Sequence, residues 1–526
     1  MAFLVSPGVE VKEVDATNVI PAVSSSIGGF AGSFNWGPTE EIVLVSSENE
    51  LAEKFGSPDA NTAKYFLTAA SFLKYGNALK VVRASSGHLN ATHLGNGQLV
   101  KNEDDYDNNH STGISGKGNW VAKYPGVLGN SIQVSMVTAG VSTSNYNAWT
   151  FKGSFAEKPG TSDFAKGLGK TSAADELHVA VVDRLGAISG TPNTVLETFE
   201  FLSQGSDAKK ADGTTNFYKE VINSQSEWIY WANHDSSLTD AGETVASQAG
   251  AMTTNTAVID NNLSGGTDDN APTTGELALA YDKFEDAETV DVNLLFAVPD
   301  ANGANTIAND LIAIATARKD CMAFVSPPLE DSVGSSSPST DVIAFADTLT
   351  SSSYASCDSG ALYVYDKYND VFRYIGAAGH IAGLCANTDN VADAWFSPAG
   401  VNRGQLLGVT KLAYNPTKAD RDALYKARVN PVVSLPGQGT LLFGDKTLLD
   451  RPSAFDRINV RRLFIVLEKA ISTAAKAQLF EFNDEFTRAQ FKNLVEPFLR
   501  DVKGRRGITD SLVVCDGTNN TSQVID

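Results

Sequence analysis

The nine residues VDVNLLFAV (Val290–Val298) narrow the choice of fold more than any other stretch of this chain. The run is apolar without a break from Leu294 to Val298, so it reads as a continuous buried strand. Strands buried on both faces belong to parallel sheets covered by helices. TIANDLIAIATARK (Thr306–Lys319) follows with helical character, and CMAFVSP (Cys321–Pro327) is the next strand. Parallel neighbours need a crossover of about a dozen residues, which this helix supplies. A βαβ unit, and with it an α/β fold, is therefore written into the middle of the chain.

A second α/β block stands near the beginning. EIVLV (Glu41–Val45) reads as a buried strand, and Ser47 with Glu50 has capping-box spacing ahead of a short helix that Gly56-Ser57-Pro58 ends. TAKYFLTAASFLKYG (Thr62–Gly76) is a helix closed by Gly76, and ALKVVRA (Ala78–Ala84) is a strand. Near residue 90 the chain turns polar and rich in turn residues, with short strand candidates such as SIQVSMV and HVAVVDRL. Residues 234–275 have the composition of loops, and SVGSSSPSTD (Ser332–Asp341) marks another boundary. ALYVYDKYNDVFRYIG (Ala361–Gly376) is a hairpin turning at Asn369-Asp370. The expected division is an arm at 1–22, a first core part at 23–90 and a mostly β outer insertion at 91–190. A middle α/β insertion at 191–344, a second core part at 345–450 and a C-terminal domain at 451–526 complete it.

The arm poses a separate question. SPGVEVKEV (Ser6–Val14) alternates like a half-buried strand, with Val9 and Val11 on one face and Glu10 and Lys12 on the other. A strand needs a partner for its backbone groups, yet DATNVIPAVSSSIGG, with the composition of a tether, follows in place of a hairpin return. Either the strand edges its own sheet, or its partner lies elsewhere.

Composition limits the functions open to the chain. With 526 residues and a net charge of −21 it is large enough for several domains and repels nucleic acid. MAFLVSPGVE has no basic region followed by a long apolar run, and no apolar stretch approaches a membrane span, so neither a signal peptide nor direct membrane insertion is expected. Cys321, Cys357, Cys385 and Cys515 lie far apart, which fits a reducing cytosol better than a zinc site or a disulfide framework.

The charge is uneven. Residues 451–506 hold 12 Lys and Arg against 7 Asp and Glu, a net of +5, which leaves −26 for the rest. In INVRRLFIVLEKAISTAAKAQLF, Val460, Phe464, Leu467, Ile471 and Ala474 keep helical spacing while Arg461, Arg462, Lys469 and Lys476 share one flank. In EFTRAQFKNLVEPFLRDVKG, Arg488, Lys492, Glu496 and Arg500 form a stripe opposite Phe491, Leu494, Phe498 and Val502; Pro497 should kink this helix and Gly504 stop it. ITDSLVVCD (Ile508–Asp516) reads as a strand. The basic segment is either a surface for an acidic partner or a solvated helical face.

Catalytic motifs fail on inspection. FAKGLGKT (Phe164–Thr171) ends like a phosphate loop but has Phe164 where the first glycine belongs and no buried strand before it. DDYDNNHSTGISG spaces Asp105, Asp107 and Asn109 like a calcium loop, with His110 in place of the turn glycine and Gly116 in place of the bidentate Glu. The six histidines show no ligand spacing, and PGQGTLLFGDKT (Pro436–Thr447) matches neither nucleotide fingerprint. No nucleophile, base and oxyanion donor come together, so neither an enzyme nor a bound cofactor or metal is expected.

Several stretches, taken in order, resemble the tail sheath proteins of contractile-tailed bacteriophages. LVSPGVEVKEVD, GGFAGSFNWGPTEEIVLVSSENELAEKFGSP and TAKYFLTAASFLKYGNALKVVRA are similar to that family's opening. YPGVLGNSIQVSM, LSGGTDD and AYDKFEDAETVDVNLLFAVPD match its middle, and WFSPAGVNRGQL, LYKARVNPVVSLPGQGTLLFGDKTL and FDRINVRRLFIVLEKAI its C-terminal core. The likeness is weakest at 140–260, where the family carries variable outward insertions.

The resemblance implies an α/β and α+β multidomain virion protein. Its core would be built from N- and C-terminal parts with outward insertions, and terminal strands would be exchanged between subunits. Hexameric rings would stack around a tail tube, anchored on a baseplate and closed by a terminator protein. Contraction would drive the tube through the host envelope, with assembly in the host cytoplasm and without nucleotide. It would make Val9, Glu10, Val11 and Lys12 an inter-subunit strand and Asp15, Thr17, Asn18 and Pro21 its hinge. It would bring some of Arg457, Arg461, Arg462, Arg488, Lys492, Arg500, Lys503, Arg505 and Arg506 against the tube, with Arg461 and Arg462 equally open to a reading as core or capping partners. Relatives continue past the equivalent of SLVVCD into a further strand-forming extension. Two other readings stay open: the sheath of a phage-derived injection particle without a genome, and a nucleotide-using α/β enzyme. A surface adhesin fits less well, since it would need a signal peptide.

Overall fold

The computed structural model describes residues 24–84, 87–300 and 304–521. The arm, including Val9, Glu10, Val11, Lys12, Asp15, Thr17, Asn18 and Pro21, lies outside the described residues.

The βαβ unit lies near the centre of a seven-stranded sheet. Across that sheet stand Val429–Asn430, Ala355–Asp358, Met322–Val325, Leu294–Phe296, Gly28–Gly32, Leu79–Arg83 and Ile42–Val45. All neighbours run parallel except Ile42–Val45, which is antiparallel to Leu79–Arg83. Alternate side chains of the central strands enter two different cores. Phe30, Leu294, Phe296, Met322 and Phe324 meet the helices Ala63–Leu73 and Ala378–Val391 on one face. Ala31, Leu295, Ala323 and Val325 meet Thr274–Asp282 and Thr306–Arg318 on the other. This two-sided burial explains why the strands read as unbroken apolar runs. Gly28 is fixed by close approach, since a Cβ there would stand 2.7 Å from the Phe72 ring.

The outer insertion is larger than expected. Its main sheet is antiparallel, in the order Thr194–Ser203, Glu176–Asp183, Ile132–Thr138 and Ile259–Asn262. A two-stranded sheet joins Trp120–Ala122 to Ile229–Trp231. The boundary placed at 190 therefore falls in the turn of a hairpin, and the domain closes only when Thr267 pairs with Leu89, each N–H donating to the other's carbonyl at 3.1 Å. Short strands separated by polar turns hid that closure. Nor is 191–344 a second insertion, because its strands Leu294–Phe296 and Met322–Val325 belong to the core sheet. The boundary at 344 lies within the helix Pro338–Asp347.

Other elements stand as read or with local corrections. The hairpin Ala361–Asp366 with Val371–Gly376 turns through Asp370 at φ 52, and Val409–Leu412 adds a third strand. Ile42–Val45 is an edge strand rather than a buried one: Leu44 is 54% exposed, and Lys54 Nζ donates to its carbonyl at 3.0 Å, guarding the open edge. The helix Glu485–Gly504 continues through Pro497, which lies on its exposed side. Ile508–Asp516 forms no strand among the described residues. Among those residues no helix is long and apolar enough to cross a membrane.

Candidate assembly surfaces

The C-terminal region is a pair of helices, Ile458–Ala475 and Glu485–Gly504. They meet through Leu463, Leu467, Ala470 and Ala474 on the first and Val495, Leu499 and Val502 on the second. Of the residues read from the period, Leu467, Ala474 and Val502 lie in this seam, Ile471, Phe491, Leu494 and Phe498 flank it, and Val460 and Phe464 fall outside it. The basic residues on the two helices have different fates.

On the first helix Arg461 and Arg462 turn inward, while Lys476, just past its end, is exposed. Arg461 is 7% exposed, stacks 4.2 Å over Tyr354 and 4.0 Å over Phe455, and donates to the Tyr354 hydroxyl at 3.1 Å. Arg462 is 3% exposed and pairs with Asp389 at 2.6 Å. Arg457 pairs with Asp445 at 3.3 Å and with the Tyr425 hydroxyl. Arg461 and Arg462 therefore join the helix to the core, the alternative that their sequence left open beside the tube; Arg457, half-exposed and already paired, stays a weaker candidate. The wheel put Arg461 and Arg462 on a polar flank, but a guanidinium with a buried carboxylate or aromatic partner can occupy such a flank inside the fold.

Those of the second helix stay at the surface. Arg488 donates to the Asn483 carbonyl at 3.0 Å, and Lys492 stands 3.7 Å from Glu496. Arg500 and Arg506 are exposed and form no ion pair among the described residues, Arg506 at φ 67 just past the helix. Lys503 pairs with Asp510 at 3.2 Å, and Arg505 pairs with Asp393 while lying 5.3 Å over Trp395. The stripe reaches solvent as read, with its last turn partly neutralised.

One group of surface residues escaped the sequence reading. Leu479, Phe480, Phe482 and Phe486 crowd the turn between the helices, and Phe482 is 84% exposed. Large apolar side chains gathered on a surface mark contact with another chain. The signal was LFEFNDEF, where aromatic residues appear outside any helical period.

The rejected motifs are structural. Asp163–Gly167 is a single helical turn capped by the Ser162 hydroxyl, not a phosphate loop. Asp105 lies within the helix Glu103–Asn109, where its carboxylate accepts from the Lys101 N–H at 2.9 Å and from Asn109 at 2.8 Å. Cys321, Cys357, Cys385 and Cys515 are all free.

This is a kind of protein with a mainly parallel α/β core, an inserted antiparallel domain and an exposed, charged and aromatic helical end. Comparison with known proteins identifies which kind. Residues 26–84 match the family described as tail sheath protein Gp18 domain III N-terminal region, 270–448 the phage tail sheath protein central domain, and 450–526 the phage tail sheath C-terminal domain. The tail sheath protein of Enterobacteria phage T4 is 33% identical, with 99% of this chain and 94% of that protein covered. The tail sheath protein of Vibrio phage KVP40 is 32% identical over the same shares. In fold, the sheath tail protein of Listeria innocua superposes with a TM-score of 0.55 at 11% identity, covering 94% of this chain and 87% of that one. The chain belongs to the phage tail sheath protein family, and it is a structural subunit of a contractile sheath and a component of the virion.

Proposed function

We propose that this subunit polymerises as hexameric rings stacked around a tail tube, between a baseplate and a terminator protein. The rings would be held extended in a metastable lattice, and their contraction would drive the tube through the host envelope without catalysis. Assembly would take place in the host cytoplasm. The observation that carries the reading is 33% identity to a tail sheath protein across 99% of the chain.

Within that assembly, Val9, Glu10, Val11 and Lys12 add as a strand to a neighbour's sheet, and Asp15, Thr17, Asn18 and Pro21 form the hinge that keeps subunits linked while they slide. The tube-facing set is Arg488, Lys492, Arg500 and Arg506, with Arg457, Lys503 and Arg505 contributing less because each already has a carboxylate. Exposed ion pairs are worth about 0–1 kcal/mol each, so a ring of them guides assembly without locking it.

Electron microscopy of the purified chain, alone and with tube, tests this reading. Striated cylinders are expected from the wild type, and a monodisperse protein that never polymerises would overturn it. Deleting residues 1–20 should abolish ordered cylinders while circular dichroism stays native. Reversing Arg488 and Lys492 to Glu should impair assembly on the tube, and wild-type yield would remove them from the contact.

A further inference from the structure

The first described residues, Ser24 and Ser25, do not lie loosely on the surface. The Arg462 guanidinium donates to the Ser25 carbonyl at 3.1 Å, to the Cys385 carbonyl at 3.2 Å and to Asp389 at 2.6 Å. The Ser25 hydroxyl donates to the same Asp389 carboxylate at 2.7 Å. Two turns further along the helix, the Lys469 ammonium donates to the Ser24 carbonyl at 3.3 Å and pairs with Asp291. Beyond these, the Ile27 N–H donates to the Asn293 side chain at 3.2 Å, and the chain enters Gly28–Gly32 at the centre of the core sheet.

We propose that Arg462 and Lys469 are the anchor of the N-terminal arm, the positioning pair that fixes where the inter-subunit tether ends and the rigid body begins. The inference rests on the arm reading above and adds its fixed end. A tether that links sliding subunits transmits force only as far as its root is held. Without the two cations the root would be held by its strand and by the Ser25–Asp389 and Ile27–Asn293 hydrogen bonds; with them, a pull on Ser24 is shared with the C-terminal helix. The chemistry suits the task. A buried guanidinium carries several donors in a fixed plane, so one side chain can hold a carboxylate and two carbonyls at once. Lys469 is more exposed and supplies a second point of attachment on the same face, seven residues on.

Arg462→Met and Lys469→Met are compared with Arg318→Met, which removes another buried guanidinium, one that holds the Phe284 and Val290 carbonyls and Asp320 rather than residues 24–27. Two readouts are taken: hydrogen exchange of the amides of residues 24–27, and the yield of ordered sheath by electron microscopy, each beside the melting temperature of the free subunit. The anchor predicts exchange at 24–27 roughly tenfold faster in the first two variants. It also predicts sheath yield falling well below that of Arg318→Met at equal loss of melting temperature. Lys469→Met keeps the test open should Arg462→Met fail to fold. Unchanged exchange at 24–27, or sheath yield that follows melting temperature alone across the three variants, overturns the anchor. Wild-type sheath after deletion of residues 1–20 would overturn the arm reading, and the anchor with it. Loss of sheath on that deletion, with full yield in Lys469→Met and Arg462→Met, overturns the anchor alone.

Discussion

Asp358 ends the strand Ala355–Asp358 with its carboxylate fully enclosed. It accepts from the Ser326 hydroxyl at 2.5 Å and from the Gly360 N–H at 2.9 Å. Ser326 in turn accepts from the Ala378 N–H, the first of the helix Ala378–Val391. Burial outweighs these two donors and raises the Asp358 pKa to about 7. The folded state thus holds its proton more tightly than the unfolded chain does. The stability this confers is fully present below the unfolded pKa, near 4, and is lost as pH rises through about 7. Asp358→Asn should therefore gain on the wild type as pH rises from 4 to 7, by on the order of 1–4 kcal/mol, and hold a constant gap above that. Thermal melts of both proteins across this range check it, and a pH-independent gap would show that the carboxyl titrates normally. Nothing in the sequence marks Asp358, because its effect comes from enclosure by the fold, with Ser326, 32 residues earlier, as one of its two donors. Arg462 was visible as a cation whose place in the core or at the surface stayed open, since its partner Asp389 lies on a helix 73 residues earlier. At this scale sequence supplied residue types, and the fold supplied their environments.

Elements were more legible than residues wherever a period had length to assert itself. The helices Ala63–Leu73, Thr306–Arg318, Ile458–Ala475 and Glu485–Gly504 all stand near their expected places. Ile42–Val45 was misjudged because a four-residue apolar run looks the same whether a sheet ends or continues beside it. Ile508–Asp516 has strand periodicity but meets no strand among the described residues, and pairing is a property of two segments. The helices also differ in how firmly they are held. Ala63–Leu73 buries nine of its eleven residues, whereas Glu485–Gly504 buries three of twenty, all in one small cluster shared with Ile458–Ala475, Trp395, Ile508 and Val513. A helix held by a single small cluster opens below the global unfolding free energy. Leu499→Ala should cost about 2–4 kcal/mol and spend it locally. Amide exchange should accelerate throughout Glu485–Gly504 and stay unchanged in Ala63–Leu73. Equal acceleration in both helices would make the C-terminal pair part of one cooperative unit.

At the scale of the whole molecule, the outer domain is inserted through a single doorway. Leu89 and Thr267 are paired, so the two chain crossings lie side by side and a short loop can bridge them. What the core loses on excision is specific. Trp36, 3% exposed, stacks on Trp228 at 5.5 Å, and Arg83, fully buried, donates to Pro125 and Gly37, both at 2.8 Å. Burial lowers the Arg83 pKa to about 9, so this guanidinium sits in an expensive place and is freed to water once the outer domain is gone. The seven-stranded sheet and both its helical layers contain no residue from 90–266. Replacing that stretch by a Gly-Ser linker, with Trp36→Ser to remove the exposed indole, should leave a core that melts cooperatively with an α/β circular dichroism spectrum. If the domain projects outward, as the family resemblance implies, the shortened subunit should also build cylinders of normal bore and reduced outer diameter. Calorimetry and electron microscopy of one preparation separate the two statements. A core without a cooperative transition would mean that the junction at Trp36 and Arg83 is part of its folding unit. A folded core that builds no cylinders would assign the outer domain a place in the lattice itself.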